Sequence, residues 1–103
     1  MRRIWRTLRD VIHKLHGANA EYVRSVAVRE MLRGEIVWDG VVEVFDLTGH
    51  PKANRIYAWS HETDDPGNPK RHVTVLHLPL VSSPRTAVQA AILQEHKSRA
   101  KNN

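Results

Sequence analysis

Two-residue alternation on both sides of an Asp-Gly pair constrains this chain more than any other feature. Even positions Val26, Val28, Glu30, Leu32, Gly34, Ile36 and Trp38 lead into Asp39-Gly40, and odd positions Val41, Glu43, Phe45 and Leu47 follow. Alternation with period two marks strands, and Asp-Gly supplies the positive backbone angles of a tight hairpin turn. The expectation is an antiparallel hairpin from about Ser25 to Leu47, turning at Asp39-Gly40 and bulged near Gly34. It pairs Trp38 with Val41, Val37 with Val42, Ile36 with Glu43, Gly34 with Phe45 and Arg33 with Asp46. Residues 20–33 also read as a helix, capped by Asn19 and ended by Gly34. The alternation favours the strand, because a helix would scatter Val26, Val28 and Leu32 around its axis.

Two helices flank this sheet. Residues 2–16 place Ile4, Trp5, Leu8, Val11, Ile12 and Leu15 in one apolar arc, and Gly17 is a natural stop. Ser83-Pro84 opens a second helix over 84–100, because serine caps free amides and proline has no amide to leave unpaired at the first helical position. Pro84, Ala87, Val88, Ala91 and Ile92 line its apolar side. Between the helices, Arg55–His61 and His72–Leu78 read as two further strands, separated by loops rich in Gly, Pro and Asp. The expected architecture is α+β, in the order α-β-β-β-β-α. It is a four-stranded antiparallel meander over about 25–79 with an N-terminal and a C-terminal helix, in one domain over 1–103. Helices on one face would make it two-layered. Both sheet faces are partly apolar, however, so either the helices take opposite faces or one face meets a partner.

Charge is unevenly spread. Residues 1–33 hold eight Arg/Lys against three Asp/Glu, 34–66 hold two against seven, and 67–103 hold six against one. Basic ends around an acidic middle suit nucleic acid or an acidic protein partner. Arg2, Arg6, Arg9 and His13 fall in one helical stripe, and Lys97, Arg99 and Lys101 cluster near the other helix end. These are the candidate polyanion-binding residues. Tyr57 and Trp59 share a strand face with Arg55 and His61, which suggests a base-stacking platform. The competing expectation puts both rings in the core with Trp38 and Phe45.

Catalytic and metal motifs are absent from the sequence. No glycine-rich phosphate loop or nucleophile elbow occurs. With no cysteine there is neither disulfide nor thiolate zinc site, which fits a reducing, cytoplasmic setting. No apolar run reaches the roughly 18 residues of a membrane span, so no integral membrane association is expected. His13 and His16 lack a third ligand in sequence, and His72 and His77 point to opposite faces of a strand. The reading is a non-enzymatic binding module without cofactor or metal. One alternative is an interaction domain that self-associates, as a homo-oligomer, through a Val37-Val42-Val44 face. Another is a small enzyme built on His50, His61 and Asp64 or Asp65.

The element order resembles that of double-stranded-RNA-binding domains. The strand count differs, and Ser83-Pro84-Arg85-Thr86 offers one Arg where those domains start their last helix with several Lys. No residue role carries over from a likeness of this kind.

Overall fold

The computed structural model describes residues 4–62, 66–67 and 70–101; the side chains of 4, 5, 62 and 96–101 lie outside that description. The elements are α1 (Ile4–His16), β1 (Asn19–Leu32), β2 (Glu35–Thr48), β3 (Arg55–Glu62), β4 (Lys70–Leu76) and α2 (Pro84–Lys101). The strands form one antiparallel sheet in the order β1-β2-β3-β4. This is the expected α+β class, element order and meander, and residues 20–32 are strand.

The hairpin turn is displaced from its expected place. It lies at Arg33-Gly34, where φ is 52° and 82°. Positive φ at both central residues is the requirement of a type I′ turn, and the Leu32–Glu35 pair closes it. Asp39 and Gly40 instead sit inside β2, opposite Arg29 and Val28. Gly40 serves a different purpose there: a Cβ would lie 3.1 Å from the Trp38 ring, so the bare backbone leaves the indole its place. The expected cross-strand pairs are replaced by Val41–Ala27, Val42–Val26, Glu43–Ser25, Phe45–Tyr22 and Asp46–Glu21. Asp46 finds its cation in Arg55, at 3.3 Å, and Arg29 pairs with Asp39 at the same distance.

Moving the turn reverses a parity. With a turn at 39–40, Trp38 would share a face with Phe45. In a continuous strand it shares one with Gly40, Val42 and Val44. Accordingly Trp38, Val42 and Val44 pack with Tyr57, Trp59, Ala87 and Val88, whereas Phe45 and Leu47 pack with Leu8, Ile12, Ile56 and Ala58. α1 therefore covers one face of the sheet and α2 the other. The packing of both helices on one face, in two layers, gives way to helix, sheet, helix. The cause is visible in β3, where Ile56, Tyr57, Ala58 and Trp59 are all buried in succession. A strand apolar on both sides needs cover on both.

Local chemistry sets the helix ends. Gly17, at φ 64°, donates to the His13 carbonyl at 2.9 Å and stops α1. Ser83 Oγ accepts from the Thr86 amide at 3.2 Å, while Thr86 Oγ1 accepts from the Ser82 and Ser83 amides at 2.9 Å. This reciprocal cap occupies three donors at the start of α2. Leu15, in the expected apolar arc, is 64% exposed. Among the described side chains of α1, Leu8 and Ile12, four residues apart, are the buried ones, and those of Ile4 and Trp5 lie outside that description.

The sheet is not uniformly knit. β1 and β2 pair from Asn19–Thr48 to Leu32–Glu35, with bulges at Val23 and Val37. Among the described residues, β2 and β3 pair only from Glu43–Ala58 to Asp46–Arg55. β3 continues with β4 out to Glu62–Lys70. Beyond Glu43 and Ala58 the two hairpins therefore part, as the arms of a Y.

Candidate binding surfaces

Three of the residues proposed for polyanions, all on α1, fall among the described side chains. Arg6, Arg9 and His13 are exposed on α1, joined by Lys14. His13 Nδ1 donates to the Ala18 carbonyl at 3.3 Å. Arg2 lies outside the described residues, as do the side chains of Lys97, Arg99 and Lys101. The helix carrying those three covers the face opposite α1.

Tyr57 and Trp59 are 1% and 2% exposed beneath α2 and offer no ring face on which a base could stack. Their alternation put them on the side of His61, but α2 covers that side. The Trp59 ring meets Trp38 edge-on, with centroids 5.5 Å apart, whereas Phe45 lies across the sheet. Burial pushes the Tyr57 phenol above its ordinary value, against the pull of nearby Arg55 and Arg24. It therefore stays protonated and donates to His77 Nδ1 at 2.7 Å.

Where the two hairpins part, α2 bridges them and a cleft of about 830 Å³ opens. That volume is in the range of small-molecule sites. Trp38, Trp59, Val73 and Ala91 contribute apolar lining, and Asp39, His61, Arg71 and Glu95 contribute charge or polarity. Trp38 is half-buried and gives the cleft an accessible indole. The cleft exists because β2–β3 pairing stops at Glu43–Ala58.

The histidines proposed for catalysis do not converge. His50 Nδ1 accepts from the Lys52 and Ala53 amides at 3.1 and 3.0 Å, which folds the β2–β3 loop under α1. Its ring lies 6.2 Å from that of His16. His61 lines the cleft on the side of α2, across the sheet. Asp64 and Asp65 lie outside the described residues. His72 bonds Ser60 Oγ at 2.5 Å on the α1 face, while His77 bonds Tyr57 on the α2 face. Among the described residues no three His, Cys, Asp or Glu side chains gather as a metal site, and no helix is long and apolar enough to cross a membrane.

The valine face is also dissolved. Val42 and Val44 are fully buried under α2, and Val37, a bulge residue, is 48% exposed elsewhere. One buried polar group went unforeseen. Glu43 is 8% exposed and accepts from Ser25 Oγ, which in turn bonds Tyr22 Oη at 2.6 Å. A carboxylate between Val42 and Val44, in a run otherwise apolar, is the signal that could have found it.

His16 carries a pH dependence. Burial, and then the charge of His50, lowers its pKa below 6.5. The folded state thus disfavours the imidazolium relative to the unfolded chain. The stability is complete above pH 6.5 and is lost as pH falls from there toward the lowered folded value. The melting temperature should therefore drop between pH 7.5 and about pH 5 by more in the parent than in His16→Gln, which keeps a partner for Thr74 Oγ1. Equal drops would remove His16 as the cause.

Compared with family models, curated proteins and solved structures, the chain matches none.

Proposed function

We propose that the protein is a non-catalytic binding module whose ligand seats in the cleft between the parted hairpins. The observation that carries this reading is the cleft itself, with a half-buried indole at its wall. Its apolar lining suits a planar hydrophobic body, and Arg71 with His61 on one rim suits an acidic group on that body. Asp39 and Glu95 on the other rims disfavour a densely anionic ligand there. A polyanion such as single-stranded nucleic acid has a second place to bind, along α1, where Arg6, Arg9, His13 and Lys14 are exposed.

One titration separates the two. Isotope-labelled protein is titrated by NMR with 1-naphthoate and, separately, with a short single-stranded oligonucleotide at low and physiological salt. The cleft reading expects naphthoate to shift the indole signals of Trp38 and Trp59, and Ala91→Phe, which fills the cleft, to abolish those shifts while the spectrum stays folded. Naphthoate shifts that are absent, or unchanged in Ala91→Phe, overturn it. Oligonucleotide shifts confined to α1 and weakened by salt would transfer the function to that helix.

A further inference from the structure

β1 is an edge strand of fourteen residues, and among the described residues its outer edge has no neighbouring strand. Such an edge is open to pairing unless something blocks it. Read outward from Ala27, the strand is nearly self-complementary. Val26 balances Val28, Ser25 balances Arg29, Arg24 balances Glu30, Val23 balances Met31 and Tyr22 balances Leu32. The four large apolar residues at the two ends are all exposed, as is Ala27 at the middle.

We propose that two copies of this chain pair antiparallel along their β1 edges about a two-fold axis at Ala27, making one continuous eight-stranded sheet. An antiparallel register with Ala27 opposite Ala27 sets every residue against its counterpart. Valine then meets valine on the α2 face. Arg24 of each copy meets Glu30 of the other, so opposite charges face one another twice. Glu30 already holds Arg85 and Gln89 of its own α2, and Arg85 also donates to the Arg29 carbonyl at 3.1 Å, so Arg24 from the second copy arrives beside a guanidinium that must share or yield its place on β1. Counterparts lie on the same face of the joined sheet throughout Arg24–Glu30, since β1 carries no bulge there. The bulge at Val23 ends the regular ladder, and beyond it the exposed Met31 and Leu32 of one copy reach the exposed Tyr22 and Val23 of the other. This surface is distinct from the Val37-Val42-Val44 face, two of whose members α2 covers.

The test uses the full chain, which has no cysteine of its own. Ala27→Cys puts one thiol at the axis, where two-fold-related residues of an antiparallel pair sit about 4.5–5.5 Å apart and within disulfide reach. Val41→Cys, exposed beside it on β2, serves as control, since its two-fold mate lies three strand spacings or about 14 Å away. The expected results are a dimer in sedimentation equilibrium, rapid disulfide formation on mild oxidation in Ala27→Cys but not in Val41→Cys, and a dimer weakened about tenfold by Arg24→Glu, which sets a carboxylate against Glu30. A monomer up to about 1 mM overturns the proposal. So does a dimer in which Ala27→Cys crosslinks no faster than the control, or one indifferent to Arg24→Glu.

Discussion

Val44→Asp is expected to unfold the chain at room temperature, whereas Val37→Asp leaves its stability within about 0.5 kcal/mol. Both are valines of β2, and in a hairpin turning at Asp39-Gly40 they would share one face. Val44 is fully buried between Arg24 of β1 and Tyr57 of β3, in the cluster that Ala87 and Val88 close from above. A carboxylate placed there loses its hydration, at several kcal/mol, and the guanidinium of Arg24, an exposed residue across the pair, offsets only part of that cost. Domains of this kind have about 5–15 kcal/mol in hand, so most of the stability goes. Val37 is a bulge residue in partial contact with water, and its carboxylate keeps its solvent. Urea titration followed by circular dichroism reads both. A Val44→Asp protein as stable as Val37→Asp would mean that α2 does not cover this face.

Phe45→Ala is expected to cost about 3–5 kcal/mol, with no change in the far-ultraviolet spectrum of what remains folded. Phe45 is fully buried on the other side of the sheet, against the stripe formed by Leu8 and Ile12. Tyr22 meets its ring edge-on at 5.9 Å. Removing the ring opens a cavity between a helix and a sheet, neither of which can collapse far, because each is braced by its own hydrogen bonds. Denaturant midpoints give the value. A loss below about 1 kcal/mol would show that α1 is not seated on this residue.

What the residues disclosed in advance was local. Gly17 and Ser83-Pro84 mark helix ends by chemistry that acts within four residues, and both ends fall where that chemistry puts them. Alternation located strands because burial on a sheet has period two. It could not locate the turn between β1 and β2. A run of alternating residues fits a strand that continues through Gly40 as well as one that reverses there, and Asp-Gly is the commoner turn pair than Arg-Gly. The six-residue displacement then changed the face of Trp38 relative to Phe45. Exposure of Arg6, Arg9 and His13 followed from helical spacing alone. The burial of Tyr57 and Trp59 depends on α2, which lies some thirty residues downstream. The cleft depends on where β2 and β3 stop pairing, a property of no single segment.

The meander order also bears on the chain as it is made. Every strand neighbours the one synthesised just before it, so each hairpin closes a short loop and can form without waiting for distant segments. The helices differ in this respect. α1 emerges ahead of any surface on which Leu8 and Ile12 can rest, and it must persist until β2 and β3 supply Phe45 and Ile56. α2 emerges after all four strands, onto a face already complete. Until it arrives, Val42, Val44, Tyr57 and Trp59 stand bare to water, and a nascent chain stalled before Pro84 would present them to chaperones and to its neighbours.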